Sequence, residues 1–350
     1  MTCYYANLDH EALLHVQGPD ALSFLQGQVT CDTRSLRADL ALPGACCTVQ
    51  GRVVFDFLLG QLEADHLVLR MRRDILASSA ALLAKYIVFS KAQLSSGDNG
   101  WRVLAVWGPQ AVTLLQGIFG AAPAGRFASC HGDGFLLVQT DAAGQQFECY
   151  LQDEVVGDMY RQGEGVTKDP AEAATHYQRS ADGGDDYGHF RLALAYQRGE
   201  GVAQDWAAAA DHFRSCADLQ RDQEGICARG LANSYEFGRG VPEDKDQAYA
   251  WYKRGAELGE KVCQRKVGYF MTNGVGTPAD PAGAIAWYEK AAAQNEPDAL
   301  YNLGYAYYAG RGVTQDTARA HQWFEKAKAA GSAEAAKALA ILDAGASSSQ

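Results

Sequence analysis

The chain has 350 residues and a formal net charge of -11 at neutral pH, with 47% hydrophobic and 21% charged residues. This is the balance of an ordinary globular protein, and it excludes disorder as the default state. The charge also argues against a nucleic-acid backbone as the main partner, because there is no basic excess to release counterions from phosphates.

The beginning of the chain, Met1–Val16, carries acidic residues and lacks the basic and apolar regions of a signal peptide. No window approaches the roughly 18 uninterrupted apolar residues that a membrane span needs. The nine cysteines are scattered and never spaced as Cys-x-x-Cys, so they predict neither a disulfide framework nor a zinc site. Together these features predict a cytoplasmic protein without a bound metal.

Residues 1–151 predict an α+β domain, because short, partly β-branched apolar runs alternate with helical stretches. Helices are expected over Pro19–Gln26 and over Asp74–Tyr86, the second beginning on a capping aspartate. Gln50-Gly51-Arg52 and Cys130–Gly134 each lie between strand-like runs and predict turns. The strand-like runs are Leu13–Val16, Cys47–Val49, Val53–Leu59, His66–Arg70 and Arg102–Trp107.

Several sequence blocks of this half appear in a specific order. They are Gly18-Pro19-Asp20-Ala21, Phe24–Asp32, Gln50-Gly51-Arg52, Lys85–Lys91 and Gly108-Pro109-Gln110-Ala111. In that order they resemble the amino-terminal half of the YgfZ family, which is related to the glycine-cleavage aminomethyltransferase. The resemblance implies binding of tetrahydrofolate and support of iron–sulfur cluster enzymes, including one that thiolates tRNA.

The chain departs from this family in its second half. The family carries a Lys-Gly-Cys-Tyr-x-Gly-Gln segment whose cysteine is tied to function, and this sequence has no such segment. Cys149 lacks the flanking residues of that segment and is interpreted as a strand residue. The departure puts cluster chemistry in doubt, and no catalytic residue is assigned.

Amide and lysine side chains within the matching blocks are the residues of choice for a pterin or another anionic ligand. Their donors suit the ring and the carboxylates of a folate, while the same residues could equally support turns and helix ends. This candidate ligand set comprises Gln26, Gln28, Thr30, Lys85, Tyr86, Ser90 and Lys91.

From residue 152 onward, a Gly-x-Gly signature recurs in steps of 36, 39, 36 and 36 residues. A period in this range predicts helical hairpins that bury their apolar faces only by stacking on one another. The glycine pairs are Gly163/Gly165, Gly199/Gly201, Gly238/Gly240, Gly274/Gly276 and Gly310/Gly312. The longer step reflects three extra residues near Leu219–Asp222, which lengthen one turn.

Other positions keep the same register. Each loop is expected to end a helix on a glycine, and the aspartate after it is expected to cap the next helix. The aspartates are Asp169, Asp205, Asp244, Asp280 and Asp316, and the aromatic residues eight positions later are Tyr177, Phe213, Tyr252, Tyr288 and Phe324. We interpret the aromatic column as shared core, and small residues such as Gly268 and Gly304 are expected where two helices must approach closely.

The segments Leu303–Val313 and Trp323–Ala327 closely resemble the Sel-like repeats of the tetratricopeptide group. The resemblance covers residues 152–343 and implies a solenoid of about five helix-turn-helix repeats, of the kind that serves as an adaptor in bacterial assemblies and signalling. Ser332–Leu342 is expected to form a C-terminal capping helix, and residues 344–350 are expected to form a disordered tail.

Positions that vary between repeats are the expected determinants of partner specificity, and the first helices of such hairpins normally line the inner face. The candidate partner-binding residues are His189, Arg191, Lys266, Tyr269, Asn302, Tyr305 and Tyr308.

Two hypotheses of function follow. In the first, the protein is a non-enzymatic adaptor whose repeats bind another protein, while the YgfZ-like half is a docking or dimerising module. In the second, it is a folate-binding accessory factor for iron–sulfur or tRNA-modifying enzymes, with the repeats recruiting the client.

Overall fold

The computed structural model describes residues 4–8, 10–48, 52–96, 100–219 and 225–347. The chain folds as two compact units, Met1–Gly183 and Gly184–Gln350. Among the described residues, no helix has both the length and the apolar character that crossing a bilayer requires.

In its described residues the first unit contains ten strands and five α-helices, and the strand pairings there are all antiparallel. The strands are β1 (Tyr4–Asn7), β2 (Glu11–Gln17), β3 (Leu42–Cys47), β4 (Val53–Glu63), β5 (His66–Arg72), β6 (Gln93–Ser96), β7 (Trp101–Trp107), β8 (Ser129–Gly132), β9 (Phe135–Gln139) and β10 (Gln146–Gln152). The helices are α1 (Ala21–Gln26), α2 (Arg73–Ala84), α3 (Ala111–Phe119), α4 (Asp153–Gln162) and α5 (Pro170–Asp182). This confirms the predicted α+β class.

The two sheets repeat one plan. Their strand orders are β3-β4-β5-β2-β6 and β8-β9-β10-β7-β1, so that each strand of one has a counterpart in the other. The matching Gly-Pro-x-Ala blocks lie at equivalent places, between β2 and α1 and between β7 and α3. Gly18 and Gly108 both have φ near +120° (121° and 123°), which glycine alone adopts readily. The first half-unit, which comprises β2–β6 with α1 and α2, and the second half-unit, which comprises β1 and β7–β10 with α3 and α4, are therefore built alike.

Helix α4 has two roles in this plan. In the first half-unit, α2 follows β5 directly, and in the second, α4 follows β10 directly. Val156 and Met159 of α4 enter the same buried cluster as Leu104 and Phe147 of the second sheet. Helix α4 therefore covers the second sheet as α2 covers the first, while it also forms the first helix of the first repeat hairpin with α5.

The core of this unit has three layers. Alternate residues of β2 face opposite ways: Leu14 packs among the helices beside the first sheet, and Leu13 packs between the two sheets. Between the sheets, Arg70 of β5 forms a two-pronged ion pair with Glu148 of β10, at 2.9 and 2.7 Å. The same carboxylate accepts a hydrogen bond from the hydroxyl of Tyr150, and burial raises the pKa of that phenol well above its ordinary value.

The structure confirms some local expectations for this unit and corrects one. Asp133-Gly134 forms the predicted turn between β8 and β9, and Cys149 is a buried strand residue as interpreted. The capping role assigned to Asp74 was wrong: α2 begins at Arg73, and Asp74 lies in the first turn, paired with Arg72. The chain reverses direction before β4 as predicted, but Gln50 and Gly51 themselves lie outside the described residues.

The described part of the second unit is all helical. Its helices are α6 (Asp186–Arg198), α7 (Trp206–Asp218), α8 (Ile226–Phe237), α9 (Lys245–Glu257), α10 (Lys261–Asn273), α11 (Pro281–Ala293), α12 (Pro297–Ala309), α13 (Thr317–Ala329) and α14 (Ala333–Ser347). With α4 and α5 they make five hairpins and a terminal helix, which confirms the predicted solenoid of repeats.

The Gly-x-Gly loops behave as predicted. The first glycine of each ends a helix in the left-handed conformation, and the aspartate of each repeat accepts hydrogen bonds from the first turn of the next helix. At Gly276 and Gly312, the second glycine of the loop is required because there is no room for a side chain. A Cβ at Gly276 would lie 2.1 Å from the carbonyl oxygen of Lys245, and one at Gly312 would lie 2.2 Å from that of Pro281. The loops at Gly276 and Gly312 therefore rest on the backbone of the preceding repeat.

The aromatic column is core, as predicted. Tyr252 is fully buried and Phe324 is 2% exposed. A Cβ at Gly268 would lie 2.7 Å from the ring of Tyr288, and one at Gly304 would lie 2.6 Å from the ring of Phe324. The small residues thus provide the space that the aromatic rings occupy.

Two expectations for the repeats need correction. Cys216 at the end of α7 and Cys227 in α8 form a disulfide, although the cysteine spacing predicted none. A pairing across a turn needs only two helix ends close together, which no spacing rule encodes. In addition, α14 continues to Ser347, into the segment 344–350 expected to be disordered. Of the segment Leu219–Asp222 that contains the three extra residues, only Leu219 belongs to the described residues. Residues 348–350 of the expected tail also lie outside them.

Candidate functional site

A cavity of about 210 Å³ opens between the first helices of the last two repeats, α10 and α12. Its walls are mostly aromatic and amide side chains. The lining residues are Tyr269, Thr272, Asn273, Ile285, Tyr288, Tyr301, Asn302, Tyr305, Ala306 and Arg311. The buried hydroxyl of Tyr288 lies 3.2 Å from that of Thr272, and burial raises the pKa of this phenol.

A second cavity of about 300 Å³ lies between α12 and α14. It shares Tyr301 and Tyr305 with the first cavity, so the two are adjacent. Its further lining residues are Tyr308, Phe324, Glu334, Lys337, Ala338, Ile341 and Leu342. We refer to the surface that combines both cavities as the tyrosine groove.

Exposed apolar residues recur along the groove at the repeat spacing. Tyr269, Tyr305 and Ile341 follow one another at intervals of 36 residues and are 47%, 46% and 68% exposed. A core position would be buried in each repeat, as the aromatic column is. A large apolar residue left exposed at the same position in α10, α12 and α14, one repeat apart each time, is typical of a surface that contacts a partner.

Four of the seven predicted partner-binding residues lie in the tyrosine groove. Tyr269, Asn302 and Tyr305 line the first cavity, and Tyr305 and Tyr308 line the second. The remaining three occupy other surroundings. Lys266 donates to both carboxylate oxygens of Glu236 at 2.8 Å.

His189 and Arg191 belong to α6, in an earlier repeat. The Nδ1 atoms of His189 and His212 lie 2.9 Å apart, and the guanidinium of Arg191 stacks 5.1 Å from the ring centre of Tyr187. The sequence did not indicate Arg311, which occupies the middle of a Gly-x-Gly loop and looked purely structural. The available signal was that this middle position varies between repeats, being glutamate, arginine or valine.

The candidate folate-binding residues belong to the first half-unit and form two groups. The first group follows α1, and its polar atoms have structural partners. Gln26 accepts a hydrogen bond from the hydroxyl of Thr33 at 2.7 Å, and the hydroxyl of Thr30 accepts one from the backbone of Ala45 at 3.0 Å. Gln28 is half-buried in the same loop.

The second group follows α2. Lys85, Tyr86 and Lys91 have exposed side chains, and the backbone amide of Lys91 donates to the carboxylate of Asp20 at 2.8 Å. The hydroxyl of Ser90 is buried without a hydrogen-bond partner among the described residues. Among the described residues, no hydrogen bond connects a side chain of the first group to a side chain of the second. The seven residues therefore lie in one half-unit but do not form a single hydrogen-bonded cluster.

The fold and the groove define a protein with an α+β domain followed by a helical-repeat region that carries an exposed aromatic surface. Comparison with known families agrees with this architecture. Residues 4–132 match the GCVT N-terminal domain, and the segments 155–185, 186–220, 226–260, 261–296 and 297–332 each match the Sel1 repeat. The chain therefore combines a GCVT N-terminal domain with five Sel1 repeats.

Curated relatives match the first part of the chain. A tRNA-modifying protein YgfZ of Sodalis glossinidius is 36% identical over 132 residues, which are 37% of this chain and 40% of that protein. The YgfZ protein of Serratia proteamaculans is 31% identical over 160 residues, 42% of this chain and 48% of that protein. The chain thus spans less than half of the length of these relatives.

Among solved structures, a protective antigen present in uropathogenic Escherichia coli strains matches with a TM-score of 0.52. It is 30% identical, and the match covers 54% of this chain and 40% of the antigen. This similarity supports the repeat fold.

Proposed function

We propose that the protein is a non-enzymatic cytoplasmic adaptor whose tyrosine groove binds a partner protein. The observation that carries the proposal is the exposed apolar column of Tyr269, Tyr305 and Ile341, which crosses α10, α12 and α14. Aromatic side chains are enriched where proteins contact each other, because they bury a large area with few rotatable bonds. In this proposal the first unit, which contains the match to the GCVT N-terminal domain, is a docking or dimerising module.

Affinity capture with the immobilised full chain tests the proposal. The test variant is Tyr305→Ala, which removes a side chain common to both cavities. Leu258→Ala is the matched control, because Leu258 is similarly exposed (42%) at the end of α9 and does not line either cavity. We expect a partner that wild type and Leu258→Ala retain and Tyr305→Ala loses. Equal retention by all three proteins would remove the groove from the proposal.

A second function has support of its own. The GCVT-domain match and the curated relatives, whose printed name is tRNA-modifying protein YgfZ, favour a folate-binding accessory factor for iron–sulfur or tRNA-modifying enzymes. In that proposal a reduced folate binds the first unit and the repeats recruit the client.

Isothermal calorimetry with tetrahydrofolate separates the two proposals. The accessory-factor proposal expects saturable heat with the full chain, and a loss of affinity in Lys91→Gln. No heat with ligand at high micromolar concentration would eliminate it. Rescue of a bacterial strain that lacks its YgfZ protein would count against a purely structural first unit.

A further inference from the structure

The tyrosine groove carries one unbalanced positive charge. Of the described residues that line the first cavity, Arg311 alone is charged. Its guanidinium is held by the carbonyl oxygen of Thr272 at 3.0 Å and by the side-chain oxygen of Asn273 at 3.3 Å, and both are neutral acceptors. Arg265 and Arg319, by contrast, each form an ion pair with a carboxylate. Arg311 is therefore fixed in place, with N–H groups left to bind an anion.

A neutral polar group lies in the same cavity. Asn302 is half-buried, and its side-chain amide has no hydrogen-bond partner among the described residues. An asparagine amide can donate and accept at once, which is the pattern that a peptide bond complements. The cavity thus offers tyrosine rings, one cation, and the amide of Asn302, which has no hydrogen-bond partner among the described residues.

The size of the two cavities favours single side chains. Volumes of about 210 and 300 Å³ lie at or below the lower end of small-molecule pockets, which span roughly 300–1,000 Å³. The adjacent cavities belong to successive first helices, and packed helices lie roughly 10 Å apart. An extended polyproline-type segment presents a side chain to the same face about every 9 Å, since it rises about 3.1 Å per residue with three residues per turn.

We propose that the tyrosine groove binds an extended acidic segment of the partner protein. An apolar side chain of the segment fills each cavity, a carboxylate beside the first pairs with Arg311, and Asn302 hydrogen-bonds the segment's backbone. The carboxylate belongs at the first cavity because the second contains Lys337 and Glu334 together, which leaves it no net charge. This inference rests on the proposed adaptor function and specifies the chemistry of its partner.

Fluorescence anisotropy with labelled synthetic peptides tests the inference on the full chain. The probe peptide is extended and proline-containing, with phenylalanines three positions apart and an aspartate beside the first. Matched peptides carry asparagine or lysine in place of the aspartate. We expect the aspartate peptide to bind about tenfold more tightly than the asparagine peptide, which corresponds to one well-placed charged contact.

Variants assign this preference to a residue. Arg311→Gln, which keeps N–H donors for Thr272 and Asn273, is expected to abolish the difference between the aspartate and asparagine peptides. Arg319→Gln, which removes an arginine already paired with Asp316, is expected to preserve it. Circular dichroism of each variant checks that the helices remain folded.

The outcomes are decisive in either direction. Equal affinity for the three peptides, absence of binding by all of them, or a preference that persists in Arg311→Gln would overturn the inference. The adaptor proposal is judged separately, by the partner that Tyr305→Ala loses. If that partner is captured while the peptides fail, the adaptor function stands and only the acidic-segment chemistry is rejected.

Discussion

Arg102 in β7 and Asp153 at the start of α4 form a buried, two-pronged ion pair, with N–O distances of 2.9 and 3.0 Å. The Asp153 side chain is 1% exposed and that of Arg102 is 14% exposed. His176 of α5 donates to the same carboxylate at 2.7 Å, so one aspartate joins the second sheet to both helices of the first hairpin. Buried contacts therefore tie the first repeat to the second sheet within the first unit.

The first prediction concerns this ion pair. We expect Asp153→Asn to lower the free energy of unfolding by about 3–5 kcal/mol, because it leaves Arg102 buried without a counter-charge. Urea denaturation followed by circular dichroism measures the change. The exposed pair of Arg319 and Asp316 is the control, and Arg319→Gln should change stability by less than about 1 kcal/mol. Similar small effects of both substitutions would show that the buried pair does not hold the hairpin.

The second prediction concerns fragments. Residues 1–151 lack α4, so Val156 and Met159 no longer cover Leu104 and the rest of the second sheet's apolar face. We expect this fragment to aggregate or dimerise, whereas residues 1–183, which keep α4, should fold without aggregating. Light scattering and circular dichroism of the two fragments make the comparison. A folded, monomeric 1–151 would contradict the covering role of α4.

The third prediction concerns a helical glycine. Replacing glycine by alanine inside a helix normally stabilises it by roughly 0.5–1 kcal/mol. At Gly304 the new Cβ would lie 2.6 Å from the ring of Phe324, so we expect a loss of about 1–3 kcal/mol instead. Gly117 in α3 is the matched control, because a Cβ there meets nothing within 4 Å. Thermal melts of the two alanine variants should shift in opposite directions, and a stabilised Gly304→Ala would refute the packing argument.

The fourth prediction concerns pH. His15 is 2% exposed, and its Nδ1 lies 2.8 Å from Nε2 of His66. Burial, and then the charge of His66, lowers the pKa of His15 from 6.5 to about 4. Because the unfolded chain takes up this proton near pH 6.5 and the folded chain only near pH 4, stability is lost as the pH falls through that window. The loss is on the order of 3 kcal/mol.

Urea denaturation at a series of pH values tests this dependence. His15→Gln should flatten the change in unfolding free energy between pH 6.5 and pH 4, since the titrating ring is gone. His131→Gln is the control, because His131 in β8 is exposed, and this variant should show the same slope as wild type. An unchanged slope in His15→Gln would assign the dependence to other groups.

The sequence by itself determined the features that depend on near neighbours along the chain. The left-handed glycine at each helix end and the capping aspartate six residues beyond it follow from backbone conformation, so the repeat register was predictable throughout. The aromatic column was recognisable as core because it recurs with that register. Four of the seven residues predicted to contact a partner lie in one groove, since helical periodicity sets which positions share a face.

Only the tertiary structure decided the contacts between distant parts of the chain. Helix α4 covers the second sheet because Val156 and Met159 enter its buried cluster, while Asp153 pairs with Arg102, and the disulfide depends on two helix ends that bring Cys216 to Cys227. Likewise, Arg311 enters the tyrosine groove because its loop rests on the preceding repeat, next to Thr272. Such contacts arise from packing and burial of the folded chain, which local propensities and spacings do not encode.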